Sequence, residues 1–456
     1  MFSKSKNQIL TVLTVFASIS VFSIFSSQKI LAEENKKEFG VEWGGFIRTD
    51  MYWDTRQTTG ARESILLFLP KNEQLNLQGK DINATPSFYW GSMGSRLNAK
   101  ISAPSFWKAN VSGFIEAEFI GQNDAQTNVV RMRHAYANLD WGSSKLLIGQ
   151  HFNPMFLPET TPLCVSANAG APVGPLARNP QVRFTQNLSK TFSVQATAFT
   201  EREMMSVGPN GTSVEFQKNA LIPAFNLQLK HKSLDNKLTV GASGGLKTIR
   251  PFNHYYYMNT DEVDVLLSTF TANVFMGCEL KDFTIRLNGY YGGNMSDISM
   301  PGGYAVAEYE HRTHTNDCGE YAYWVPSKYT PFNNIAVTAD LGYSVHRNLK
   351  VGVSGGFNMN LGTIREFVSP FSNFPEGNYG YEYWTTFNAD IDKLFRVAPR
   401  ATYQSGKLQF GAEVEYTQAN YGKTRETSNG GFWQGKWSET TNVNNIRFLL
   451  VTTLFF

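Results

Sequence analysis

The sequence predicts an all-β chain closed into a single transmembrane antiparallel β-barrel of about 16 strands. Three observations carry that expectation. Apolar and polar residues alternate with a period of two through successive segments of about ten residues. The connections between these segments sort into short turns and mostly long loops, one kind following the other. The chain also ends on an amphipathic strand whose last residue is aromatic.

The alternation is plain in the second segment. Tyr89, Gly91, Met93, Leu97, Ala99 and Ile101 share one face, and Trp90, Ser92, Arg96, Asn98, Lys100 and Ser102 the other. Val111, Ile115, Ala117 and Phe119 oppose Asn110, Ser112, Glu116 and Glu118. Phe283, Ile285 and Leu287 oppose Asp282, Thr284, Arg286 and Asn288. Leu408, Phe410, Ala412, Val414 and Tyr416 oppose Gln409, Glu413, Glu415 and Thr417.

A soluble sandwich alternates as well, but its connections are not sorted by length. Here short turns fall at 140–144, 187–190, 233–236, 279–281, 346–348 and 404–407. Longer connections lie between them, at 55–85, 121–127, 153–180, 202–219, 251–262, 293–332, 362–393 and 420–439. Short periplasmic turns alternating with long outer loops are the connection rule of outer-membrane barrels. The rule also sets the strand count. Taking Tyr381 to Ile391 as a strand would move the Ser405-Gly406 turn to the outer side, so that stretch is assigned to the preceding loop, leaving an even 16. A barrel of that size encloses a channel.

Ile446, Phe448, Leu450, Thr452, Leu454 and Phe456 share the apolar face of the final strand, opposite Asn445, Arg447 and Thr453. Phe448, Leu450, Leu454 and Phe456 resemble the signal read by the outer-membrane barrel-assembly machinery. Trp43, Trp53, Tyr89, Trp107, Trp141, Tyr343 and Tyr383 fall near predicted strand ends, where rings with polar tips suit the lipid–water interface.

Residues 1–32 read as an export signal: Lys4 and Lys6, an apolar run from Ile9 to Phe25, then Ile30-Leu31-Ala32 before Glu33-Glu34. Removing it takes Lys4, Lys6 and Lys29 and no acid, which brings the formal charge from +3 to neutral. A neutral chain argues against nucleic-acid binding, which calls for a basic excess. No linker or composition shift divides residues 33–456, so they read as one barrel domain. Beyond the signal no apolar run is long enough for a spanning helix, and a protein spanning lipid without helices must close its sheet. Cys164, Cys278 and Cys318 are too few for a disulfide scaffold; Cys164 and Cys318, both in loops, either pair or stay free thiols.

With the apolar face in lipid, the other face lines the interior. It carries Arg48, Arg96, Lys100, Arg131, Arg133, Arg183, Lys230, Lys247, Arg286, Lys350, Arg396, Arg400 and Arg447. The acids there are Glu42, Asp50, Glu116, Glu118, Glu201, Asp282, Glu413 and Glu415. Arg96, Lys100, Arg131, Arg133 and Arg183 lie on neighbouring strands, with Glu116 and Glu118 placed to face them. Two readings follow. Opposed basic and acidic rows set a field across a constriction that favours anions. Alternatively, pairs such as Glu116 with Arg131 are ordinary cross-strand ion pairs.

The connection 153–180 holds six prolines, and its only charges are Glu159 and Arg178. So stiff and uncharged a loop is expected to fold inward and narrow the barrel. His311, His314, Asp317 and Cys318 are metal-ligating types in a polar loop, without ligand spacing. His134, opposite in phase to Arg131 and Arg133, is expected to face lipid or a subunit interface. No nucleophile elbow, triad or phosphate loop is present, so no enzyme activity, cofactor or metal is expected.

The run Arg131-Met132-Arg133-His134-Ala135-Tyr136, then Leu147-Ile148-Gly149-Gln150, the proline-rich third loop, and Arg178-Asn179-Pro180-Gln181-Val182-Arg183-Phe184 resemble the porin superfamily. Within it they are similar to the dicarboxylate-type (DcaP-like) porins of Gram-negative bacteria. Gly45-Phe46-Ile47-Arg48-Thr49-Asp50 is similar more loosely, and the specific likeness spans residues 41–190. The resemblance implies a homotrimer in the outer membrane, uptake of small anionic solutes, and a constricting third loop. The favoured expectation is a diffusion porin preferring small anions such as carboxylates. The alternative is a non-conducting structural or adhesive barrel that binds partners through its outer loops.

Overall fold

The computed structural model describes residues 39–167, 174, 176–253, 263–299, 301–316, 319–367, 383–384, 389–427 and 433–456. The predicted signal at 1–32 and Cys318 lie outside them. Sixteen antiparallel strands form the wall: β1 (Gly40–Asp54), β2 (Ser87–Gly91 and Arg96–Phe106), β3 (Ala109–Glu118) and β4 (Arg131–Asp140). There follow β5 (Ser144–Phe152), β6 (Arg178–Asn187), β7 (Phe192–Phe199), β8 (Ala224–Lys232), β9 (Leu238–Ile249) and β10 (Leu267–Glu279). β11 (Phe283–Gly293), β12 (Gly319–His346), β13 (Leu349–Thr363), β14 (Ile391–Ser405), β15 (Leu408–Thr427) and β16 (Trp433–Phe455) complete it.

Each strand pairs with its sequence neighbours, and β16 returns to β1 from Phe46↔Phe455 to Asp54↔Arg447. The sheet therefore has no free edge, the one way a sheet satisfies its backbone in hydrocarbon. Short turns join the strands at one end. At Asp140–Ser144 the chain reverses through Gly142, whose φ of +85° suits a residue without Cβ, while the Asp140 carboxylate accepts the Gly142 N–H at 2.8 Å.

Polarity is inverted relative to a water-soluble fold. Asn334, Asn358, Thr417 and Asn445 are buried, each 0% exposed, while Leu227 and Val274 stand 60% exposed on the outer wall. Leaving such side chains in water forgoes roughly 2 kcal/mol each, so the arrangement is stable only where hydrocarbon covers them. The terminal residues Phe448, Leu450, Leu454 and Phe456 all lie on this outer face.

The long connections depart from their expected limits. Arg178 opens β6, so the third loop, L3, ends at 177. β15 and β16 run on for 20 and 23 residues, shortening the last connection to the residues between Thr427 and Trp433. The sixth loop contains a strand, Tyr304–Asn316, paired with the first half of β12. Tyr383–Trp384 pairs with Tyr304–Ala305, outside the barrel wall, consistent with the count of 16.

The alternation also breaks within β2. Phe46↔Arg96 and Asp50↔Gly91 leave one more residue on β2 than on β1 between the same rungs. A single extra residue flips every side chain beyond it. Phe88 and Trp90 consequently face outward, whereas Tyr89 and Met93, expected on the lipid face, turn inward; Tyr89 stacks on Tyr52 with ring centroids 4.8 Å apart.

Candidate functional site

A second insertion shapes the interior. β3 and β4 pair as Glu116↔His134 but Ala117↔Met132, so Arg133 is a bulged residue without an opposite number. Met132 stays outward at 51% exposure, and Arg131, Arg133 and His134 all turn inward. His134 thus corrects the expectation of a ring facing lipid or a subunit interface: it is 5% exposed and packs edge-on against Phe152, with His151 5.1 Å away.

Around the bulge the strands assemble a charged network. Glu118 on β3 accepts from Arg131 Nε at 2.8 Å and from Arg133 Nη1 at 2.7 Å. Glu116 accepts from Arg133 Nε at 2.6 Å. Arg96 on β2 approaches Glu118 to 3.3 Å. From the outer side, Glu203 of the fourth loop accepts from Arg178 at 3.0 Å and lies 3.4 Å from Arg131. The opposed rows expected from sequence are not formed: the strand bearing Glu116 and Glu118 sits between the strands bearing the arginines, and the acids bind them directly. The partners also differ from the expected Glu116–Arg131 pair.

Basic charge still exceeds acid. A cavity of about 230 Å³ is lined by Arg62, Arg96, Arg131, Arg133 and Arg178 against Glu118 and Glu203, with Phe152 and Phe156 on one side and Leu66 and Phe68 over it. Arg62 Nε and Arg178 Nε are buried with no hydrogen-bond partner among the described residues. Burial, and after it Arg131, lowers the Arg62 guanidinium from its ordinary value. Planar donors with unused N–H groups in a partly enclosed cavity are the chemistry that accepts a carboxylate or similar oxyanion.

The remaining predicted residues lie elsewhere on the inner wall, each committed locally. Arg447 grips Asp54 at 2.7 and 3.0 Å, and Arg400 grips Asp340 at 2.6 and 3.1 Å. Arg48 binds Asp50 and the Val165 carbonyl. Arg183 donates to Gln181 and the Phe152 carbonyl; Arg396 donates to Thr417 and the Leu67 carbonyl. Lys100 stands exposed, 3.4 Å from Glu42. Arg286 donates to the carbonyls of Pro158 and Thr161, both on L3.

L3 does fold into the barrel, as its composition predicted. The sequence reading missed the first loop, which folds in above it: Arg396 holds Leu67, Tyr421 donates to the Pro70 carbonyl, and Arg447 to that of Ser64. Its signal was the apolar run Ile65 to Leu69 inside an otherwise polar connection. Arg62 and Glu203 sit on loops and carry no periodicity, so alternation had no purchase on them. Cys164 lies on L3, 3.7 Å from the Ser354 hydroxyl.

No protein-family model matches the chain, and no curated protein sequence matches it. Among solved structures, it is similar to the outer membrane channel DcaP of Acinetobacter baumannii, with a TM-score of 0.64 at 14% identity over 94% of this chain and 100% of that one. It is similar also to an anion-selective porin from Comamonas acidovorans, with a TM-score of 0.52 at 9% identity over 92% and 100%. The trimer form of OmpT from Vibrio cholerae gives 0.50 at 12% identity over 92% and 100%. Identities this low establish the fold alone. On that basis, and on its closed wall with apolar residues outside and polar residues within, the chain has a porin-like fold, a closed antiparallel β-barrel of 16 strands.

Proposed function

We propose that this barrel is a diffusion porin for small hydrophilic solutes, preferring anions of the carboxylate class, and that it is exported through a cleaved signal and works as a homotrimer. The observation that carries the preference is the cavity in which five arginines meet two carboxylates, with guanidinium nitrogens left unpaired. The porins it resembles in fold support the reading, one of them anion-selective and one a trimer. No catalytic role is assigned. Arg62 and Arg178, which hold the unpaired nitrogens, are expected to act most directly on the solute. Arg131 and Arg133 compensate Glu118 and Glu116, so neutralising them exposes acids and shifts selectivity further. In planar bilayers, Arg62→Gln with Arg178→Gln is expected to bring the anion-to-cation permeability ratio toward one. An unchanged ratio removes the cavity from the mechanism.

A second reading rests on the depth to which the first and third loops fill the interior. It makes the chain a closed barrel that binds partners through its outer loops, and a folded protein without conductance decides for it.

A further inference from the structure

L3 crosses the interior from β5 to β15, and the wall holds it differently on the two sides of the crossing. Over the first part the wall donates to the loop's carbonyls, and the Thr160 hydroxyl returns one bond to Asn288 Oδ1 at 3.1 Å. Gln228 donates to the Pro154 carbonyl at 3.2 Å, Asn288 to the Thr160 carbonyl at 2.7 Å, and Arg286 to Pro158 and Thr161. On the far side two loop amides donate to the wall, while the Val165 carbonyl accepts from Arg48 Nη2 at 2.7 Å. Val165 N–H reaches Glu413 Oε2 at 2.6 Å, and Ser166 N–H reaches Glu413 Oε1 at 3.2 Å. Gly411, on the same face of β15, leaves the space Val165 occupies; a Cβ there would lie 2.6 Å from Val165 Cγ1.

The charge balance at this seat is unusual. Asp340 also accepts an L3 amide, from Leu163, but Arg400 neutralises it. Glu413 is 2% exposed and has no ion-pair partner among the described residues. The groups facing it come from every side. On its own strand is Glu415, 1% exposed, with Oε2 unpartnered and Oε1 3.8 Å from Arg396. From β14 come Arg400, committed to Asp340, and Arg396, which donates to Thr417 and the first loop. From β16 and β1 come Arg447 with Asp54, and Arg48 with Asp50. From L3 itself comes Cys164. Two backbone N–H groups are thus the direct compensation for the Glu413 charge.

We propose that Glu413 is the positioning residue for the far end of L3, and that a proton taken up there releases the loop. A carboxylate presents charged acceptors on both oxygens; in a neutral acid one of them becomes a hydroxyl, a much weaker acceptor for the second amide. The proton also cancels the repulsion from Glu415. The Val165 and Ser166 amides then lose their charge-assisted acceptor, the strong kind, and the turn is left to the Arg48 donor on the Val165 carbonyl. That release alters conductance is a consequence resting on the pore reading above; the latch itself does not depend on it.

The test uses the full-length protein refolded in detergent with Cys164, Cys278 and Cys318 replaced by serine and Ser166→Cys as reporter. Ser166 Oγ is buried beside Glu413 without a hydrogen bond of good geometry, and the thiol that replaces it keeps a weak donor there. Its reaction with 4,4′-dithiodipyridine, which proceeds in acid, is scaled to free glutathione at the same pH. With Glu413 intact the scaled rate is expected to rise at least tenfold from pH 8 to pH 4.5. Glu413→Gln is expected to be fast at pH 8 and flat with pH; Glu413→Asp is expected to restore protection in part. Gly411→Val, which unseats Val165 by bulk, is expected to be fast at all pH. A scaled rate that stays low across this range with Glu413 intact overturns the proposal, even if Glu413→Gln fails to fold. So does a Glu413→Gln protein as protected as its parent. Release without any bilayer conductance keeps the latch and sinks the pore.

Discussion

Arg447 on the last strand and Asp54 on the first lock the seam of the barrel. Two guanidinium nitrogens reach one carboxylate at 2.7 and 3.0 Å, Asn445 joins it at 2.7 Å, and the Tyr52 ring lies 3.9 Å from the Arg447 guanidinium carbon. Both charges are sealed from solvent. Removing one partner leaves a buried charge uncompensated, which costs about 3–5 kcal/mol. Arg447→Met is therefore expected to lower urea stability by that amount, measured by loss of the heat-modifiable band on gels. Arg447→Met with Asp54→Asn is expected to recover much of it. A single variant as stable as its parent contradicts the role given to the seam.

The bulge at Arg133 makes Met132 and His134 face opposite sides of the wall. Unbroken alternation would put them on the same side. A bimane label at Met132→Cys is expected to be quenched by brominated lipid, and one at His134→Cys to be unaffected. Equal quenching at both sites removes the bulge, and with it the convergence of Arg131 and Arg133 on Glu118.

Glu159 ties the near end of L3 to Lys230 on β8 at 3.2 Å. Burial alone would raise its carboxyl, but Lys230 and a backbone bond hold it below the ordinary value. For a carboxyl depressed on folding, the stabilisation is present above the unfolded value, about 4.3, and is lost as pH falls through the lower folded one. Amide exchange near Glu159 is accordingly expected to stay slow at pH 5 and to quicken, relative to Glu159→Gln, only below about 4. Quickening already at pH 6 contradicts the assignment.

Much of the fold was legible because a barrel writes itself in local terms. Each strand alternates, each turn carries its own residues, and the length rule for connections excluded Tyr381 to Ile391 without any knowledge of tertiary contacts. What alternation could not reveal were its own interruptions. One extra residue near Ser92 and another at Arg133 leave the composition of their strands unchanged, yet they reverse Tyr89 and His134. The site was half legible for the same reason. Arg96, Glu116, Glu118, Arg131, Arg133 and Arg178 were all found from strand phase or resemblance. Whether Glu118 faces Arg131 across a lumen or bonds to it depends on strand order around a closed wall, which phase alone does not encode. Arg62 and Glu203 reach the cavity through loop folding, where the chain has no period to read.

The central claim is that solutes pass through this barrel and that its arginine cavity favours anions. The zero-current potential of the full-length protein in a planar bilayer, across a tenfold potassium chloride gradient, tests it most directly. The account predicts stepwise channel insertion and a potential of the sign set by chloride. A potential of potassium sign contradicts the anion preference, and a folded barrel that passes no current contradicts the pore.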